Sequence, residues 1–140
     1  MAEKFKLPSM EHRFDLQIEG NETRQMFTGT FLYRRPTLRE RAMIGVMEAR
    51  LNGDLVSLDP DVRAYNEATA YLRFSLKEFP DWWKDSDFGG KIWDSNVILE
   101  IYNKCMDFEA DWTKKTYGKD EDVKVDGSQV QDPIMASQGS

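Results

Sequence analysis

The hydrophobic period of this 140-residue chain changes once, across Arg34, Arg35, Pro36 and Thr37, and that change limits the folds open to it. Before it, Phe14, Leu16 and Ile18 alternate with Asp15, Gln17 and Glu19, the period-two pattern of a half-buried strand. After it, apolar residues recur every three or four positions, as on one face of a helix. Strands followed by helices, with no return to strand, point to an α+β arrangement in which the two kinds of element are segregated. The predicted fold is mostly α, with an N-terminal β-hairpin packed on about three helices. A lone hairpin is marginal in water, so the helices that follow are expected to cover its apolar face.

Local signals place the elements. Gly20 and Asn21 are turn formers, and the run after them, RQMFTGTFLYRR, is rich in β-branched and aromatic residues. Thr37 with Glu40 three residues on makes a capping box for a first helix, which Gly53 should end. Its apolar residues Leu38, Ala42, Met43, Ile44, Val46, Met47 and Leu51 cover a broad face. Asp59 and Pro60 open a second helix with the stripe Val62, Tyr65, Thr69, Leu72, Leu76 and Phe79. Pro80 should stop it at Phe79. A loop containing Gly89 and Gly90 leads to a third helix from Asp94 or Ser95 to Tyr117, with Ile98, Ile101, Cys105, Phe108 and Trp112 on one side. Residues 1–13 read as a loose arm with a short strand at 4–7, residues 14–117 as one domain, and residues 118–140 as a flexible acidic tail.

Composition narrows the function. A net charge of -6 argues against a general nucleic-acid binder. One cysteine excludes an internal disulfide and a cysteine-rich metal site. No segment approaches the roughly 20 apolar residues of a membrane span or the apolar run of a signal peptide, so a soluble protein is expected.

Against that acidic background four arginines fall within eight residues: Arg34, Arg35, Arg39 and Arg41, with Arg24 on the hairpin opposite. The planar guanidinium fork suits carboxylates and phosphates, so the cluster is a candidate docking patch for an acidic protein surface. The plainer reading is a solvated hairpin end whose arginines pair with Glu40 and other acids. A phosphate site is disfavoured, because the helix dipole opposes cations at its start and no glycine-rich cradle precedes it. Trp82, Trp83 and Trp93, with Phe88, read first as core closure and second as binding anchors. Residues 85–96 mimic a calcium loop, but Gly89 and Asn96 stand where ligands are needed. His12 is the single histidine and is placed in the arm. Cys105 lies on a buried stripe, and the acid pair Asp107 and Asp111 lies on a solvated face. No catalytic, cofactor or metal set emerges, and the expectation is a non-enzymatic protein without cofactor.

The segments FTGTFLYRRPT, LRERAMIGVMEARLNG, LKEFPDWW and WDSNVILEIYNKCMDFEADW together resemble the small tail assembly chaperones of long-tailed bacteriophages, over residues 26–112. That resemblance implies a short, mostly helical protein with an acidic flexible C-terminus that keeps tail-tube or tape-measure subunits soluble in the host cytoplasm until the tail assembles. Some such chaperones are extended by a translational frameshift. It carries no catalytic residues. Alternatives are a virion structural component of the tail, neck or capsid, and a generic protein-interaction module. A homo-oligomer is compatible with either, through the third helix's stripe. Under the chaperone reading, residues 27–33 (Phe27, Phe31 and Tyr33 among them) offer a strand edge to a client segment, and the arginines steer acidic clients.

Overall fold

The computed structural model describes residues 7–53 and 59–117. The expected strand at 4–7 and the flexible tail at 118–140 lie outside the described residues, apart from Leu7. Seven elements follow one another: β1 (Glu11–Glu19), β2 (Met26–Arg34), α1 (Leu38–Asn52), α2 (Pro60–Ser75), β3 (Leu76–Glu78), α3 (Asp81–Asp85) and α4 (Ser95–Tyr117). The fold is α+β and mostly α, with an N-terminal antiparallel sheet packed with helices. Residues 9–107 form one compact unit. The described residues 7–8 and 108–117 belong to a second, in which the last turns of α4 carry an Asp111–Lys115 ion pair at 3.1 Å.

The hairpin forms as its alternation requires. β1 pairs antiparallel with β2, with Phe14 opposite Phe31 and Leu16 opposite Gly29. Phe14, Leu16, Phe31 and Tyr33 are buried on one face, while Glu11, Arg13, Asp15, Gln17 and Glu19 face outward. β1 begins at Glu11, so His12 stands in the strand rather than in a loose arm, stacked on Phe14 at 5.8 Å. The turn between the strands is longer than a Gly-Asn pair: Gly20 N–H bonds to Gln25 O, and Arg24 takes a left-handed φ of 64°.

The sheet has a third strand that helical periodicity hides. Leu76, Lys77 and Glu78 are good helix formers and continue the α2 stripe, yet Leu76 turns extended (φ -88°, ψ 119°) and α2 ends at Ser75. Leu76 then pairs with Tyr33 and Glu78 with Leu32. Pairing satisfies β2 backbone groups that would otherwise lack partners and buries Leu76 to 4 % exposure, which outweighs local propensity. Arg13 of β1 reaches across to Glu78 at 2.8 Å and ties the two outer strands. The expected loop after Pro80 contains the short helix α3.

The cover of the sheet comes from α2, α3 and the first turns of α4. Phe31 meets Trp82 and Trp83 edge-on at 5.9 and 6.1 Å. Tyr33 stacks on Tyr71, their hydroxyls hydrogen-bonded, and Tyr71 meets Tyr102 of α4. Ala68, Ala70, Leu72, Val97, Ile98, Ile101 and Cys105 complete this core. Asp94 fixes the end of the hairpin to the start of α4: its carboxylate accepts from Glu22 N–H, Thr23 N–H and Thr23 Oγ1–H at 2.6 to 2.8 Å. α1, expected to help cover the hairpin, packs instead beside α2 and buries none of its own side chains fully, with Ile44, Met47 and Glu48 half-buried.

Candidate protein-docking surface

α1 forms because its ends are well specified. Thr37 Oγ1 accepts from Glu40 N–H at 3.2 Å, Glu40 Oε1 accepts from Thr37 N–H at 3.0 Å, and Gly53 closes the helix with a left-handed φ of 68°. Its middle is LRERAMIGVMEARLN, half apolar, yet Leu38, Met43, Val46 and Leu51 are 81, 46, 59 and 45 % exposed. A Cβ added at Gly45 would meet nothing within 4 Å, so the helix is open there too.

Part of this open face is a shallow apolar groove of about 390 Å³. Ala42, Met43, Val46 and Met47 line it together with Phe74 of α2, and Arg39 and Arg50 stand at its ends. Arg39 and Arg50 form no ion pair among the described residues; nor do Arg34 and Arg41. The acid expected to neutralise them is committed elsewhere. Glu40 Oε2 accepts from Lys77 Nζ at 2.6 Å, and its carboxyl is held below the ordinary range first by that bond and then by the Thr37 N–H. Glu48, the other acid of α1, is half-buried. It contributes, after burial, Glu67 and Cys105, to raising the Tyr102 phenol. The groove is therefore apolar along its length and positive at its rims.

The sequence-predicted residues divide into two groups. Arg34, Arg39 and Arg41 are exposed and Arg35 is half-buried, so the arginine cluster lies at the surface where strand passes into helix. Arg24 sits at the other end of the hairpin, 3.1 Å from Glu19, and does not join it. Phe31, Tyr33 and Trp83 are fully buried at 0 % exposure; they build the core and present nothing to a partner. Phe27 and Trp82 are half-buried and pack on each other at 5.1 Å.

The strand edge expected at residues 27–33 is partly occupied. β2 is the central strand: β1 lies on one side, and β3 pairs with Leu32 and Tyr33 on the other. Further along that side, the Trp82 indole donates to Thr28 O at 2.7 Å. Pro80 packs on the core face of the sheet at Gly29, where an added Cβ would lie 2.6 Å from its Cγ. Trp93, expected in the aromatic core, is 80 % exposed, whereas Phe88 packs edge-on against Phe79 beneath Arg73.

The residues missed by sequence reasoning are Met43, Val46, Met47 and Arg50. A three–four apolar stripe reads equally as core or as seam, and only the absence of burial distinguishes them. Among the described residues no three His, Cys, Asp or Glu side chains gather as a metal site, and no helix is long and apolar enough to cross a membrane. In comparisons with known proteins, no family model, no curated protein and no solved structure matches this chain.

Proposed function

We propose that this protein is a non-enzymatic phage assembly factor of the tail-chaperone kind, which binds tail-tube or tape-measure subunits through the open face of α1. The observation that carries this reading is a well-capped helix of 15 residues, half of them apolar, that buries none of its side chains fully and leaves Leu38, Met43, Val46 and Leu51 exposed. Apolar helix faces are usually hidden from water in soluble proteins, and an exposed one rimmed by polar groups marks a protein-binding surface. Docking there shields a client's own apolar surface without reproducing the contacts of the finished tail. The arginines around the groove select acidic clients and suppress basic ones.

Co-expression with tail-tube and tape-measure subunits tests this. The chaperone keeps them in the soluble fraction and co-purifies with them, Met43→Asp abolishes both effects, and the protein is absent from purified particles. A fixed number of copies in every particle would instead make it a structural component of the virion, and aggregation of the subunits regardless of its presence would refute the chaperone reading.

A further inference from the structure

The groove on α1 also specifies what kind of segment enters it, given the reading of α1 as a docking face. Arg39, Met43, Val46 and Arg50 fall at spacings of four, three and four residues, which places them in one line along the helix. That is the spacing of a heptad seam, with two apolar positions at its centre and a cation at each end. The line is about 16 Å long at the α-helical rise. α1 offers an incoming strand nothing to pair with, because the backbone groups of its middle are satisfied within the helix. A second helix, by contrast, packs against such a seam by side chains alone. A second copy of α1 is a poor occupant. Antiparallel packing sets Arg39 of one helix beside Arg50 of the other, and parallel packing sets each arginine beside itself. Either way four cations meet that form no ion pair among the described residues, and Glu40 is held by Lys77.

We infer that the occupant is an amphipathic helix of a partner protein bearing a carboxylate at each end of an apolar pair. Its pattern is acid, three residues, apolar, two residues, apolar, three residues, acid. The apolar pair fills the groove over Met43 and Val46 beside Phe74, and the two carboxylates pair with Arg39 and Arg50. The central contact gives affinity by burying apolar surface. The rim pairs are partly solvated, so each is worth only about a two- to five-fold change in affinity and acts mainly on selectivity.

The test uses the full-length protein and three labelled helical peptides with the same central leucine pair and with Glu, Gln or Lys at both end positions. Fluorescence anisotropy should rank them Glu, then Gln, then Lys, with the spread shrinking as salt rises. The R39E/R50E double variant, at the surface and expected to fold normally by circular dichroism, should reverse the order of the Glu and Lys peptides. Met43→Asp should weaken all three. Equal binding of the three peptides, binding of none, or a concentration-dependent dimer of the protein dissolved by Met43→Asp would each overturn the inference. If tail subunits are still held in solution through α1 while the peptides bind alike, only the acidic-helix inference falls. If the subunits are not bound at all, the proposed function falls whatever the peptides do.

Discussion

Asp94 illustrates how much of the unit formed by residues 9–107 depends on single side chains. It is 1 % exposed, and burial by itself would raise its pKa. The hydrogen bonds from the Thr23 backbone and hydroxyl and from the Glu22 backbone act the other way and prevail, so the carboxyl is held below its ordinary value. A group with a depressed folded pKa contributes stability that is fully present above its unfolded pKa and is lost as pH falls through the folded value. Thermal unfolding followed from pH 7 downward should therefore show a midpoint that declines below about pH 4, and Asp94→Asn should flatten part of that decline. Glu40 and Glu78, also held low by Lys77 and Arg13 respectively, add to it. Gly20 serves the same clamp, since a Cβ there would stand 2.4 Å from Asp94 Cγ. Gly20→Ala should lower stability by about 1–3 kcal/mol. Gly45→Ala, whose Cβ meets nothing, should raise it by up to about 1 kcal/mol through helix propensity. Urea denaturation of the two variants against the parent protein checks both signs.

Among the elements, β3 marks where reading by period stops working. The helices α1 and α2 were legible because their caps are local: Thr37 with Glu40, Asp59 with Pro60, and Gly53 each act within a few residues; α4 was legible from its three–four stripe. The first strand of the hairpin was legible from alternation and the second from its β-branched and aromatic residues. β3 was not, because Leu76, Lys77 and Glu78 are extended for the sake of β2, more than forty residues earlier in the chain. The same distance hides the bond from the Trp82 indole to Thr28 O, which occupies part of the second side of the central strand. Trp82→Phe keeps most of the packing on Phe27 and removes that donor. It should cost about 1 kcal/mol, and it should speed amide exchange in residues 27–31 more than in β1. Equal exchange across both strands would mean that Trp82 does not guard this edge.

At the scale of the molecule, the account turns on α1 being surplus to the core. The arginine cluster was legible as a charge anomaly in an acidic chain, and the structure leaves Arg34, Arg39 and Arg41 at the surface. Which apolar residues accompany them was not legible, because the aromatic residues nearest in sequence, Phe31, Tyr33 and Trp83, go to the core. If α1 is surplus, its apolar side chains can be replaced cheaply. Met43→Asp should change unfolding free energy by no more than about 0.5 kcal/mol, the range of ordinary surface substitutions. A loss of several kcal/mol would show that Met43 supports the fold. The most direct measurement is amide hydrogen exchange of the full-length protein, alone and saturated with a tail-tube subunit. The account predicts that protection gained on binding is concentrated in residues 39–50. Protection confined to the sheet, with exchange in α1 unchanged, would contradict it.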